Sequence, residues 1–190
     1  MRFEATSTSS YFSRARQSRR GPEASKSLVI LLGTYYFLGM ATSLRLVPID
    51  PVEANRLRAR ATVFDVADSF PGYPCRQCLQ DAAVGDVLAL VSYDPFTLDS
   101  PYHSASPIYL HKEDCGLPDT SAIPGQQLRR QLSVRAFDEH EMMLAGEVVN
   151  GIELEETAAR LLAQDDVAFL HVHNASRGCW ALRIELPGDI

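Results

Sequence analysis

Apolar and polar positions alternate in short blocks along most of the chain. Leu44–Val47 reads as a short first strand. Asp50-Pro51-Val52-Glu53 then predicts a helix start: Asp50 can cap, Pro51 suits the first helical position, and Glu53 lies three residues after the cap. This helix runs to about Arg60. A strand is predicted over Thr62–Val66, and Ser69-Phe70-Pro71-Gly72-Tyr73-Pro74 is a loop by composition. Val87–Tyr93 is apolar on both faces, the pattern of a central strand covered on two sides. Ile108–His111 is a further strand. Leu132, Val134 and Ala136 alternate with polar residues, as do Met142, Leu144 and Val148, with Asp138-Glu139-His140-Glu141 between them. That is a hairpin. Glu153–Gln164 is amphipathic at helical spacing through Leu154, Ala158, Leu161 and Leu162. Hairpins outnumber crossover helices. The pattern predicts a single compact α+β domain, with a mostly antiparallel sheet built from hairpins and two main helices.

Val167–His173 and Cys179–Leu186 form the last hairpin, and its pattern is specific enough to predict a register. Leu170 and Val172 alternate with His171 and His173, while Trp180, Leu182, Ile184 and Leu186 make an apolar face on the return strand. Apolar faces must coincide. Val172 is therefore expected opposite Trp180, and His173 opposite Cys179. His171, His173 and Cys179 then share the face away from the main core. Arg177 lies at the hairpin tip, where it can bind an anion, although exposed tip arginines are usually just solvated.

Charge divides the chain. Arg2, Arg14, Arg16, Arg19, Arg20 and Lys26 face only Glu4 and Glu23 in residues 1–39, a net +4. Residues 40–190 carry −10 of the overall −6. An apolar run, Leu28–Gly39, ends the basic stretch. A basic segment before a short apolar run resembles a secretory signal or anchor, and the run is too short for a membrane span of about 20 residues. Met40-Ala41-Thr42-Ser43 leads directly into the patterned region. The chain reads best with Met40 as its start, residues 1–39 as a non-native or disordered extension, and 40–190 as one globular domain. A cytoplasmic protein without a membrane partner follows, unless the 28–39 run is a genuine signal, in which case the protein is exported or anchored. A pI of 5.3 argues against a nucleic-acid partner.

Four cysteines are too few for a disulfide scaffold. Cys75-Arg76-Gln77-Cys78 is a CxxC, a spacing that suits either one tetrahedral zinc or a redox disulfide. The zinc reading needs further ligands, and the candidates are His111, Cys115, His171, His173 and Cys179. Seven candidates exceed the four places of a structural site. With only three protein ligands, water can fill the fourth place and hydrolysis becomes open to the protein. Two other readings stand beside zinc: a thiol-redox protein acting through Cys75 and Cys78, and a non-catalytic binding module whose Cys and His only pack. No catalytic residue is assigned, because no nucleophile elbow or defensible acid pair is present.

Three stretches together resemble a bacterial family, domain of unknown function 1203. They are Tyr73-Pro74-Cys75-Arg76-Gln77-Cys78-Leu79; Ser106-Pro107-Ile108-Tyr109-Leu110-His111 with Cys115; and His171-Val172-His173-Asn174 with Gly178-Cys179. The resemblance spans about Leu44 to Leu186. Similar sequences often carry His at the position of Gln77. The resemblance implies a compact cytoplasmic protein beginning near Met40, and implies no activity.

Overall fold

Asp50 folds the first local structure as expected. In the computed structural model, which describes residues 43–188, the Asp50 carboxylate accepts from the backbone N–H groups of Val52 and Glu53 and opens helix α1, Pro51–Ala59. The readings of residues 1–39, and of Met40 as the start, lie outside the described residues. Among those described, no helix is long and apolar enough to cross a membrane.

Among the described residues, eight strands form two antiparallel sheets. The larger has the order β1-β8-β7-β5-β6, from β1 (Arg45–Val47), β5 (Gln131–Phe137), β6 (Met143–Asn150), β7 (Phe169–Asn174) and β8 (Trp180–Glu185). Helix α3, Leu154–Leu162, packs on β5 and β7. Its Leu154, Ala158, Leu161 and Leu162 join Leu132, Val134, Leu170, Val172, Leu182 and Ile184 in the main core. The smaller sheet has the order β2-β3-β4, from β2 (Val63–Val66), β3 (Val87–Tyr93) and β4 (Ser106–His111). A short helix, α2, covers Gly125–Leu128. The α+β class and the antiparallel hairpins match the sequence pattern, with the strands shared between two sheets.

Strand β3 is central by pairing, between β2 and β4, but not by cover. Only Leu88 and Ala89 are fully buried in it, and Val87 and Ser92 are exposed. The double-sided cover expected from its composition is therefore absent.

The last hairpin departs from the expected register. Val172 pairs with Leu182 rather than Trp180, and His173 pairs with Trp180 rather than Cys179. A shift between these pairs leaves Ala181 as an extra residue in β8, a β-bulge. The bulge breaks strict alternation. Leu182 and Ile184 stay in the main core, while Trp180 turns into a second core with Ile49, Ala54, Leu57, Cys75, Cys78, Ile108 and Leu110. The side of β7 away from the main core is thus buried as well, and every residue of β7 is buried.

Candidate metal centre

The CxxC is set by a tight loop against β4. Pro74 bridges Asp81, and Cys75 makes a parallel bridge with Tyr109. The Arg76 N–H donates to the Tyr109 carbonyl at 3.0 Å, and the Cys75 N–H to the Gln80 carbonyl at 2.9 Å. Leu79 turns the chain with φ of 54°, a left-handed conformation that costs a non-glycine residue about 1 kcal/mol, and its side chain is wholly buried. Strand β4 ends at His111, and the chain returns four residues later with Cys115.

These segments bring four ligand atoms together. Cys75, Cys78, His111 and Cys115 each offer one, all within 4.8 Å of one another. The Sγ atoms of Cys75 and Cys115 are 3.7 Å apart, and Cys78 Sγ is 3.6 Å from His111 Nδ1. All four cysteines of the chain are free. A tetrahedral ion with bonds of about 2.3 Å to sulfur and about 2.0–2.1 Å to nitrogen has edges of about 3.8 Å between sulfurs and about 3.6 Å between sulfur and nitrogen. The two measured separations fit those edges.

The surroundings fit an ion too. His111 turns Nδ1 inward, and on its other side Nε2 has the Asp86 carboxylate nearby, with Oδ2 at 3.5 Å. Arg58 of α1 donates to the His111 carbonyl at 2.7 Å and also to Gln77 Oε1, and its Nη2 is 4.0 Å from Cys115 Sγ. Three thiolates and one neutral imidazole around a divalent ion carry a net −1, which this guanidinium faces. Gln77 Nε2 donates to Asp114 Oδ1 at 2.6 Å, fastening the CxxC to the loop that carries Cys115.

Without an ion the four groups compete for protons. Cys115 and then Cys78 lower the Cys75 thiol well below its ordinary value, and Cys115 and then Cys75 push Cys78 up. The neighbouring sulfurs of Cys115 and Cys75 raise His111 to about 10. An ion binding here must displace those protons, so its affinity falls in acid.

The other three sequence candidates lie elsewhere. His171 sits among the rings of Phe96, Phe137 and Phe169, at centroid separations of 4.9, 5.2 and 5.0 Å. His173 donates from Nδ1 to the Gly178 carbonyl at 2.9 Å. Burial lowers both imidazoles, to about 3 and about 4. Cys179 accepts from Arg76 Nη2 at 3.4 Å and from Asn174 Nδ2 at 3.2 Å. None of the three belongs to the four-atom group. Sequence reasoning singled out neither Arg58 nor Asp86. Nothing local marks them, since each meets the site only through tertiary packing.

The sequence profile described as "Protein of unknown function (DUF1203)" matches residues 72–185, and this stretch holds the CxxC loop, both sheets' central strands and the last hairpin. The chain belongs to that family. No curated protein and no solved structure matches it.

Proposed function

We propose that this protein is a metal-binding domain in which Cys75, Cys78, His111 and Cys115 hold one zinc ion at a closed, structural site. The observation that carries the reading is the pair of ligand separations, 3.7 Å and 3.6 Å, at tetrahedral edge lengths. A set of three thiolates and an imidazole favours zinc over hard cations, which take oxygen ligands. Four protein ligands leave no place for a reactive water, so the ion's work is to tie the CxxC loop to β4 and to the Cys115 loop. Free thiols persist readily in a reducing compartment, which supports the cytoplasmic reading.

The test is metal content by elemental mass spectrometry on protein purified without chelator, beside Cys75→Ser/Cys78→Ser. About one zinc per chain, lost in the double variant, is the expected result. A metal-free wild type that forms a reversible Cys75–Cys78 disulfide on oxidation would replace this reading with the thiol-redox one.

A further inference from the structure

The two residues inside the CxxC serve different places. Gln77 reaches Asp114 and Arg58 beside the four-ligand group. Arg76 instead reaches Gln126 Oε1 at 2.8 Å and Cys179 Sγ at 3.4 Å. It is 1% exposed, and no Asp or Glu among the described residues pairs with it. Its Nε has no hydrogen-bond partner. A buried guanidinium without an anion is unfavourable, because the charge gives up its hydration without compensation.

Arg76 lines a cavity of about 320 Å³. Arg130 and Arg177 line it as well, and no Asp or Glu does, among the described residues. That is a concentrated positive lining in a chain of net charge −6. Arg130 is already paired with Asp81. Arg177, exposed at the tip of the last hairpin, has no ion pair among the described residues. Asn174, 8% exposed, also lines the cavity, and its Oδ1 has no partner. Leu90, Pro107 and Ile108 supply apolar wall. Convergent polar groups in an apolar cavity of this size are the usual make-up of a small-molecule site.

We propose that this cavity binds a small organic oxyanion, a carboxylate or a phosphate monoester on an apolar body. Arg76 is the buried cation that receives the oxyanion, and Arg177 is a second cation at the mouth. The planar guanidinium suits both headgroups. The apolar body lies against Ile108 and Leu90. This goes beyond the metal site, since the cavity uses none of its four ligands.

Isothermal titration of the full chain with phenyl phosphate, benzoate and the neutral benzamide tests the proposal. At least one of the two anions is expected to bind with a submillimolar Kd, and benzamide at least tenfold more weakly. Which anion binds tighter tells the two headgroups apart. Arg76→Lys, which keeps the charge and loses the fork, is expected to weaken the anion at least tenfold. Arg177→Gln, at an exposed position, is expected to weaken it threefold or more without affecting folding, and decides the matter if Arg76→Lys does not fold. Silence from both anions, equal binding of benzamide, or unchanged affinity in Arg177→Gln together with any folded Arg76→Lys would overturn the proposal. Metal content is read on the same samples. Metal-free protein that still binds the anion through Arg76 would sink the zinc reading and leave this one standing.

Discussion

The sulfurs of Cys75 and Cys115 lie 3.7 Å apart although forty residues separate them in the chain. The pairing of the CxxC loop with β4 and the Gln77–Asp114 hydrogen bond bring them together. The relationship divides the chain's four thiols into two groups. On the proposed zinc reading, Cys115→Ser and Cys75→Ser are each expected to lower zinc affinity at least tenfold, because a hydroxyl is a poor substitute for a thiolate ligand. Cys179→Ser should keep the wild-type stoichiometry, since Cys179 is held by Arg76 and Asn174 away from the cluster. Competition against a colorimetric chelator measures all three. Equal loss in Cys179→Ser would contradict the placement of the site.

If the proposed zinc is bound, removing it should loosen one side of the domain only. Binding free energy at a closed site is folding free energy for whatever the ligands join. Here they join the CxxC loop, the end of β4 and the Cys115 loop, while the main core under α3 uses none of them. Hydrogen exchange after chelation is expected to accelerate over residues 74–82 and 106–116. Strands β5 and β7 should keep their protection. Uniform acceleration would mean that the ion holds the whole domain.

Buried histidines set an acid limit of a different origin. His171 and His173 are 1% and 4% exposed, and burial first, then nearby positive charge, lowers them to about 3 and about 4. His171 is paired across the sheet with Arg135 on one side and Arg183 on the other. The unfolded chain takes up these protons near the ordinary value of about 6.5. Between about 6.5 and 4 the unfolded state therefore binds more protons than the native one, and stability falls as pH falls. The expected loss across that window is a few kcal/mol. His171→Phe, placing a fourth ring among Phe96, Phe137 and Phe169, should shrink it by about half. Urea titrations at pH 7 and pH 4.5 give the comparison, and an unchanged loss in His171→Phe would assign the acid limit elsewhere.

Local periodicity made most of the fold legible. The Asp50 cap, the β5–β6 and β7–β8 hairpins and the buried stripe of α3 are each written in residues close together in the chain. Ala181 shows where that reasoning stops. The alternation through Trp180, Leu182 and Ile184 looks unbroken, yet one inserted residue in β8 sends Trp180 to a different core. Alternation counts positions along one strand and is blind to a bulge, which depends on what packs beyond it. The site was legible as a pool of seven Cys and His residues. Their division into the group of four and the remaining three was not, because it depends on how the CxxC loop meets β4. Arg76 passed as a spacer between two cysteines, and only its burial distinguishes it.

Gly151 is the position where a single methyl group should do most damage. It opens the short 3-10 turn Gly151–Glu153 that leads into α3, and its N–H donates to the Arg130 carbonyl at 2.8 Å. A Cβ there would lie 1.9 Å from the Gln127 carbonyl oxygen and 2.8 Å from the carbonyl carbons of Gln127 and Leu128. These are backbone atoms of α2, so no side chain can swing aside. Elsewhere Gly→Ala in helical conformation tends to stabilise by about 0.5–1 kcal/mol. Overpacking against backbone reverses the sign, and Gly151→Ala is expected to lose about 2–3 kcal/mol. The displacement should also reach the cavity. The residue before Gln127, Gln126, accepts from Arg76 Nη1 at 2.8 Å and donates to the Cys75 carbonyl at 3.2 Å. Gly188→Ala, which meets open space, should stay within about 0.5 kcal/mol of wild type. Equilibrium urea unfolding of both variants is the check. Equal stability of Gly151→Ala and wild type would show that α2 does not approach the turn as closely as these distances state.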